Sequence, residues 1–206
     1  GSSYEGDFVQ GRKEGNGKMI VILSGITGAG KSYLKKHIIN KLNFKNIVIV
    51  TTRAKRIGEV EGIDKHFVTE EQFEELKNSG KISVPFEFLG HKYAYYTEDL
   101  LSDENAVTEL HYSTIDEFKK VAKGVVSIYI KPNVETAKKQ LKLRCLPKTI
   151  ELFRLKEIKE QIKEFENNTN IQKKFDYIIA NDYTDESLNN AVELIKNIEE
   201  RSYVRT

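Results

Sequence analysis

Eight residues, Gly25-Ile26-Thr27-Gly28-Ala29-Gly30-Lys31-Ser32, match the pattern G-x-x-x-x-G-K-[ST]. Glycines at these places let the backbone curl so that successive N–H groups point at phosphate oxygens. A helix opening at Lys31 would add partial positive charge at its N-terminus. Lys31 brings a point charge to the outer phosphates, and the Ser32 hydroxyl can ligate Mg²⁺. Gly25, Thr27, Gly28, Ala29, Gly30, Lys31, Ser32 and the following Tyr33 are therefore the candidate contacts to a nucleoside triphosphate. A second cationic group, Arg53 and Arg56, sits three residues apart on a loop bounded by Gly58 and Gly62. Two guanidiniums so spaced can clamp a phosphate bidentately, although a solvated turn fits that segment equally well.

The elements that must position these groups follow a strand-then-helix rhythm. Residues 19–24 read as a buried strand and 31–42 as a helix with Leu34, Ile38, Ile39 and Leu42 on one face. The phosphate loop thus lies between a strand and a helix, the context its mechanism requires. Residues 47–51 predict a second apolar strand and 70–79 a short helix. The runs 82–88 and 91–96, around Leu89-Gly90, predict an antiparallel pair, followed by a strand at 105–110 and a helix at 114–122. A strand at 125–130 and helices at 134–144 and 150–166 come next, then a last strand at 177–180 and a closing helix through Leu188, Val192, Ile195 and Ile198. This alternation predicts an α/β fold, a parallel sheet with helices on both faces in three layers.

With 206 residues the chain fits one domain of ordinary size. Lys and Arg number 33 against 31 Asp and Glu, a balance that argues against nucleic acid as a partner, because such a binder shows a basic stripe. No apolar run approaches the ~18 residues of a membrane span. The single cysteine, Cys145, excludes an internal disulfide and suits a reducing compartment, so the expectation is a cytoplasmic protein. Gly1-Ser2-Ser3 reads as a vector-derived remnant. Residues 4–18, with glycines at 6, 11, 15 and 17 and aromatics at 4 and 8, read as a hairpin. They also resemble a single MORN repeat, either the end of an upstream array or a loose leader, and that resemblance implies a protein partner.

From about residue 19 onward the chain resembles the guanylate kinase family. The motifs in order are the phosphate loop, Thr51-Thr52-Arg53 through Arg56, Gly58 and Glu59, then Gly62 and Phe67-Val68, Phe88-x-Gly90-x-x-Tyr93, Arg144, Arg154-Leu155 and Asn181-Asp182. The resemblance implies a P-loop kinase with a core, a small mixed α+β acceptor-binding subdomain at about 51–112 and a lid at about 144–155. It implies ATP with Mg²⁺ as donor and a small phosphorylated acceptor. By the same resemblance Arg53, Arg56 and Tyr93 would hold the acceptor phosphate, with Glu59 and Lys65 beside it. Arg144 and Arg154 would close over the transferring group, Asn181 would lie near the donor adenine, and Lys31, Arg53, Arg144 and Arg154 form the catalytic set.

Departures from the family pattern fall on one side of the acceptor. Val84 stands where the family reads guanine with a glutamate, Tyr95 where it has a serine, and His111 and Glu109 where it has aspartates. A family tyrosine on the acceptor phosphate is Lys65, and a small hydroxyl residue before Thr51 is replaced by Ile49 or Val50. Positions facing the phosphate are mostly kept or cationic, whereas positions facing the base are changed. GMP is therefore not the expected acceptor; another nucleoside monophosphate or a phosphorylated sugar is. Two rivals stand beside this reading: a non-catalytic scaffold module, and a nucleotide-gated switch.

Overall fold

The computed structural model describes residues 18–26, 28–143 and 147–203. Thr27 and Arg144, and the MORN-like segment apart from Lys18, lie outside the described residues. Strand β1 (Ile20–Ser24) is wholly buried, and its alternation serves both faces of a sheet. Met19, Val21 and Leu23 pack into one core with Leu34, Ile38, Ala137, Ile158 and Ile195, while Ile20 and Ile22 pack into another with Phe118, Tyr129 and Phe165. A strand buried on both sides must be interior and covered by helices above and below.

That placement is realised in a five-stranded sheet. Strands β2 (Lys45–Asn46), β7 (Ala106–Glu109), β8 (Val125–Pro132) and β9 (Tyr177–Asn181) join β1 in the order β2-β7-β1-β8-β9, and every neighbouring pair is parallel. Helices α1 (Lys31–Leu42), α5 (Val134–Lys142) and α8 (Asp185–Tyr203) pack on one face. Helices α3 (Thr97–Leu101) and α4 (Ile115–Val121) pack on the other, as does the short α7 (Thr169–Gln172). The long α6 (Lys148–Asn167) serves both cores, through Ile158 and Phe165.

A second, mixed sheet has the order β4-β3-β6-β5, from β3 (Ile49–Thr51), β4 (His66–Phe67), β5 (Ile82–Phe88) and β6 (His91–Tyr96). Helix α2 (Glu70–Asn78) covers it through Phe73, started by a capping box between Thr69 and Gln72. The fold is thus the α/β P-loop kinase architecture expected, with a small mixed sheet attached. Among the described residues no helix is long and apolar enough to cross a membrane.

The apolar run 47–51, expected as one strand, is divided between the sheets. Ile47 N–H still donates to Val107 O of the large sheet at 3.0 Å, whereas Ile49 to Thr51 pair with Tyr95 to Tyr93 of the small one. Both sheets bury apolar side chains, so hydrophobicity alone could not mark the crossing. The β5–β6 hairpin forms as expected, and both turn residues, Leu89 (φ 50°) and Gly90 (φ 74°), have positive φ, as tight two-residue turns demand. Leu89 is exposed and gains no burial in return for this conformation. Leu89→Asn should therefore raise unfolding stability by about 0.5–1 kcal/mol in urea denaturation, without changing the slope m.

Candidate functional site

Leaving β1, the chain turns through the phosphate loop under tight steric limits. A Cβ on Gly25 would lie 2.7 Å from Ile130 O of the adjacent strand, and one on Gly30 would lie 2.5 Å from the Asn181 amide nitrogen. Gly28 and Gly30 have φ of 81° and 89°, open to glycine and costly for other residues. Helix α1 then begins at Gly30 with no side-chain cap and no acidic residue in its first turn. Its N-terminal amides and dipole thus remain suited to an anion, which fits the phosphates of a nucleotide. Lys31 reaches back into the loop, its ammonium donating to Gly25 O and Ile26 O, each at 2.9 Å. Ser32 is exposed beside it at the helix start, where its hydroxyl could ligate a Mg²⁺ ion carried by the phosphates.

This loop forms one wall of a cleft of about 790 Å³. The cleft brings together Gly28 to Tyr33, Arg56, Arg154 and Asn181, residues spread over 150 positions of sequence. Gly25 lines a small adjoining cavity with His111 and Tyr112. Arg154 is held one turn along α6 by Glu157, at 2.6 Å, with its guanidinium over the Phe153 ring. Asn181 donates its amide to Ala29 O at 2.8 Å, so in this structure it grips the loop backbone.

Arg53 does not line the cleft but is tied to it. Its guanidinium, buried to 8% exposure, donates to Glu59 at 2.6 Å, to Ala54 O at 2.7 Å, and faces the Phe67 ring. The second Glu59 oxygen accepts the Arg56 N–H at 2.8 Å, so one carboxylate fixes both arginines on their loop. Burial would raise the Glu59 pKa, but the Arg53 guanidinium and the Arg56 amide outweigh it and hold the carboxyl below the ordinary range. Lys65 is half-buried nearby. Its burial, and then the Arg53 charge, lower its pKa, with Glu109 opposing. Glu109 itself pairs with Lys35 at 3.3 Å. An ammonium crowded by like charges in this way is suited to an anionic partner.

The remaining expected acceptor positions divide. Tyr93 is buried and stacks on Phe86 at 5.2 Å. His111 caps the turn after β7, accepting from Ser113 N–H, with its ring against Tyr112 and Phe88. Val84 and Tyr95 are core residues, 6% and 0% exposed. Val84 sits at a β-bulge between Ser83 and Phe86 with φ of 56°, a conformation β-branched residues rarely adopt. The bulge re-aims its side chain into the core. The Tyr95 hydroxyl donates to Glu109 O at 3.2 Å, and burial pushes its phenol well above the usual range.

Two residues escaped sequence reasoning. Tyr183, in the turn after β9, donates its hydroxyl to Gly28 O. The one available signal was an aromatic side chain two residues past Asn181. Lys35 lies four residues beyond Lys31, on the same helix face, a spacing that could have been read.

Comparison with known proteins agrees with this geometry. A family model described as guanylate kinase matches residues 17–198. The chain belongs to the guanylate kinase family. It is therefore a nucleoside monophosphate kinase-like phosphotransferase. The guanylate kinase of Rickettsia felis is 30% identical over 194 residues, covering 91% of this chain and 98% of that protein. That of Lactococcus lactis is 28% identical, covering 91% and 89%. The crystal structure of guanylate kinase from Anaplasma phagocytophilum is similar with a TM-score of 0.64 at 25% identity, covering 89% of this chain and 85% of the other.

Because the folded Glu59 pKa is depressed, its contribution to stability is complete above the unfolded value and is lost as pH falls through the folded one. Between about pH 5 and 3, wild-type stability should thus fall more steeply than that of Glu59→Gln, measured by denaturant melts at each pH.

Proposed function

We propose that the chain transfers a phosphoryl group from ATP, with Mg²⁺, to a small phosphorylated acceptor other than GMP. The observation that carries this reading is the single cleft lined jointly by the phosphate loop, Arg56, Arg154 and Asn181. Phosphoryl transfer needs two phosphates placed in line and the charge of the transition state offset; it needs no protein nucleophile. On this reading the loop amides and Lys31 hold the donor phosphates. Arg53, Arg56, Lys65 and Tyr93 hold the acceptor phosphate. Arg154, joined by Arg144 from outside the described residues, neutralises the group in transit. Ser32 would help hold Mg²⁺, whose charge would offset that of the donor phosphates.

Support for a changed acceptor comes from the base-facing side. Val84 carries no acceptor and lies in the core, and Tyr95 is fully buried with its hydroxyl against Glu109 O, so neither presents an accessible acceptor to a purine N–H. Buried polar groups of a ligand left unpaired in this way weigh heavily against it. Lys65 meanwhile adds a cation on the phosphate side. The acceptor is therefore read as another nucleoside monophosphate or a phosphorylated sugar.

The test is ADP release from ATP across a panel of nucleoside and sugar monophosphates that includes GMP, the acceptor named for the relatives. Turnover is expected with a non-guanine acceptor and should vanish in Lys31→Ala. Preference for GMP would overturn the specificity, and no Lys31-dependent turnover with any acceptor would overturn the transferase reading. Lys65→Met should raise the acceptor KM by about tenfold or more, the loss of one charge-assisted contact, while leaving the KM for ATP unchanged.

A further inference from the structure

The turn between β9 and α8 holds the phosphate loop from outside. Two consecutive loop carbonyls are bound by it: Ala29 O by the Asn181 amide at 2.8 Å, and Gly28 O by the Tyr183 hydroxyl. A trans peptide is planar, so its C=O and the following N–H point in opposite directions. Pulling the Gly28 and Ala29 carbonyls outward therefore turns the amides of Ala29 and Gly30 inward. The Ala29 N–H donates within the loop to Ile26 O at 3.1 Å, so the Gly28 peptide is held at both ends, its carbonyl by Tyr183 and its N–H by Ile26 O. The Lys31 ammonium lies on that same inner side, 2.9 Å from Ile26 O.

We propose that Tyr183 is a positioning residue for nucleotide phosphates, its phenol holding the Gly28 peptide so that the loop keeps the shape that receives them. This rests on the reading of the loop as a nucleotide site, and it concerns how the site is shaped rather than which acceptor it serves. Tyr183 is itself held in place. Its φ of 66° is unusual for a residue with a Cβ, and its own N–H donates to the Asn181 side-chain oxygen at 2.9 Å. Ser187, in the first turn of α8, lies 3.4 Å from that same oxygen and donates to Ala180 O at 3.2 Å. A chain of contacts thus runs from α8 through Ser187, Asn181 and Tyr183 to Gly28. Support of this kind fixes a binding group more tightly than the loop could alone. The Gly30 position completes the fit, since a Cβ there would collide with the Asn181 amide.

Tyr183→Phe keeps the ring and removes the donor. Calorimetry on the full chain should show MgATP and magnesium tripolyphosphate each bound about fivefold more weakly by the variant, the loss of one neutral hydrogen bond. The melting temperature of the ligand-free protein should fall by no more than about 4 °C, the loss of that one bond. Unaltered affinity for both ligands overturns the proposal, and so does a lower melting temperature with affinities intact, which would make the bond merely structural. Weakening confined to ATP also overturns it, because Tyr183 would then contact the nucleoside. Should the wild-type chain bind neither ligand, the nucleotide reading itself fails and takes this proposal with it. That result is distinct from a variant that matches a binding-competent wild type.

Discussion

The peptide groups on either side of Gly28 must be held in fixed orientations for a phosphate to be bound at the start of α1, and much of the molecule is arranged around that constraint. A loop of glycines has little preference of its own, because each glycine loses much conformational freedom on being fixed. The order is imposed from three directions. Strand β1 enters from the middle of a parallel sheet, wholly buried on both faces. Helix α1 leaves with its core-facing Leu34 and Ile38 anchored. The turn after β9 binds the loop carbonyls from behind. Together these contacts hold the described residues of the loop at its entry, its exit and its Gly28 and Ala29 carbonyls.

The basic residues proposed for the acceptor meet a different problem, that of gathering cations before any anion arrives. Arg53, Arg56, Lys65 and Lys35 would repel one another if left alone. The structure threads carboxylates between them, Glu59 against Arg53 and the Arg56 amide, Glu109 against Lys35. The carboxylates also orient the groups they accompany, so part of the entropy of ordering long side chains is spent in folding rather than in binding.

Much of this was legible in the sequence because its signals are local. The loop motif, the β1 and α1 periodicities and the glycine at the β5–β6 turn each report on a few neighbouring residues, and each element formed. The division of 47–51 between two sheets was not legible, since an unbroken apolar run does not say which strand each residue pairs with. Nor was the bulge at Val84, because an extra residue shows only against its partner strand. Tyr183 eluded prediction for a related reason: it acts on Gly28 across 155 positions, and no local pattern encodes such a contact. Residues at 84 and 95 could be named as acceptor positions from resemblance, but that their side chains turn into the core could be learned only from coordinates.

The core that receives Val84 and Tyr95 also contains Ile20 and Ile22 of the central strand and Phe118 and Tyr129 around them. One face of the small sheet therefore shares a core with the large one, while its other face packs separately under α2, and Ile47 and Val48 link β2 to β3. The small sheet cannot be lifted out and exchanged as a cassette, for its removal would strip side chains from beneath the phosphate loop's own strand. Changes of side-chain volume at positions 84 and 95 would therefore press on Ile20 and Ile22, the strand that leads into the phosphate loop.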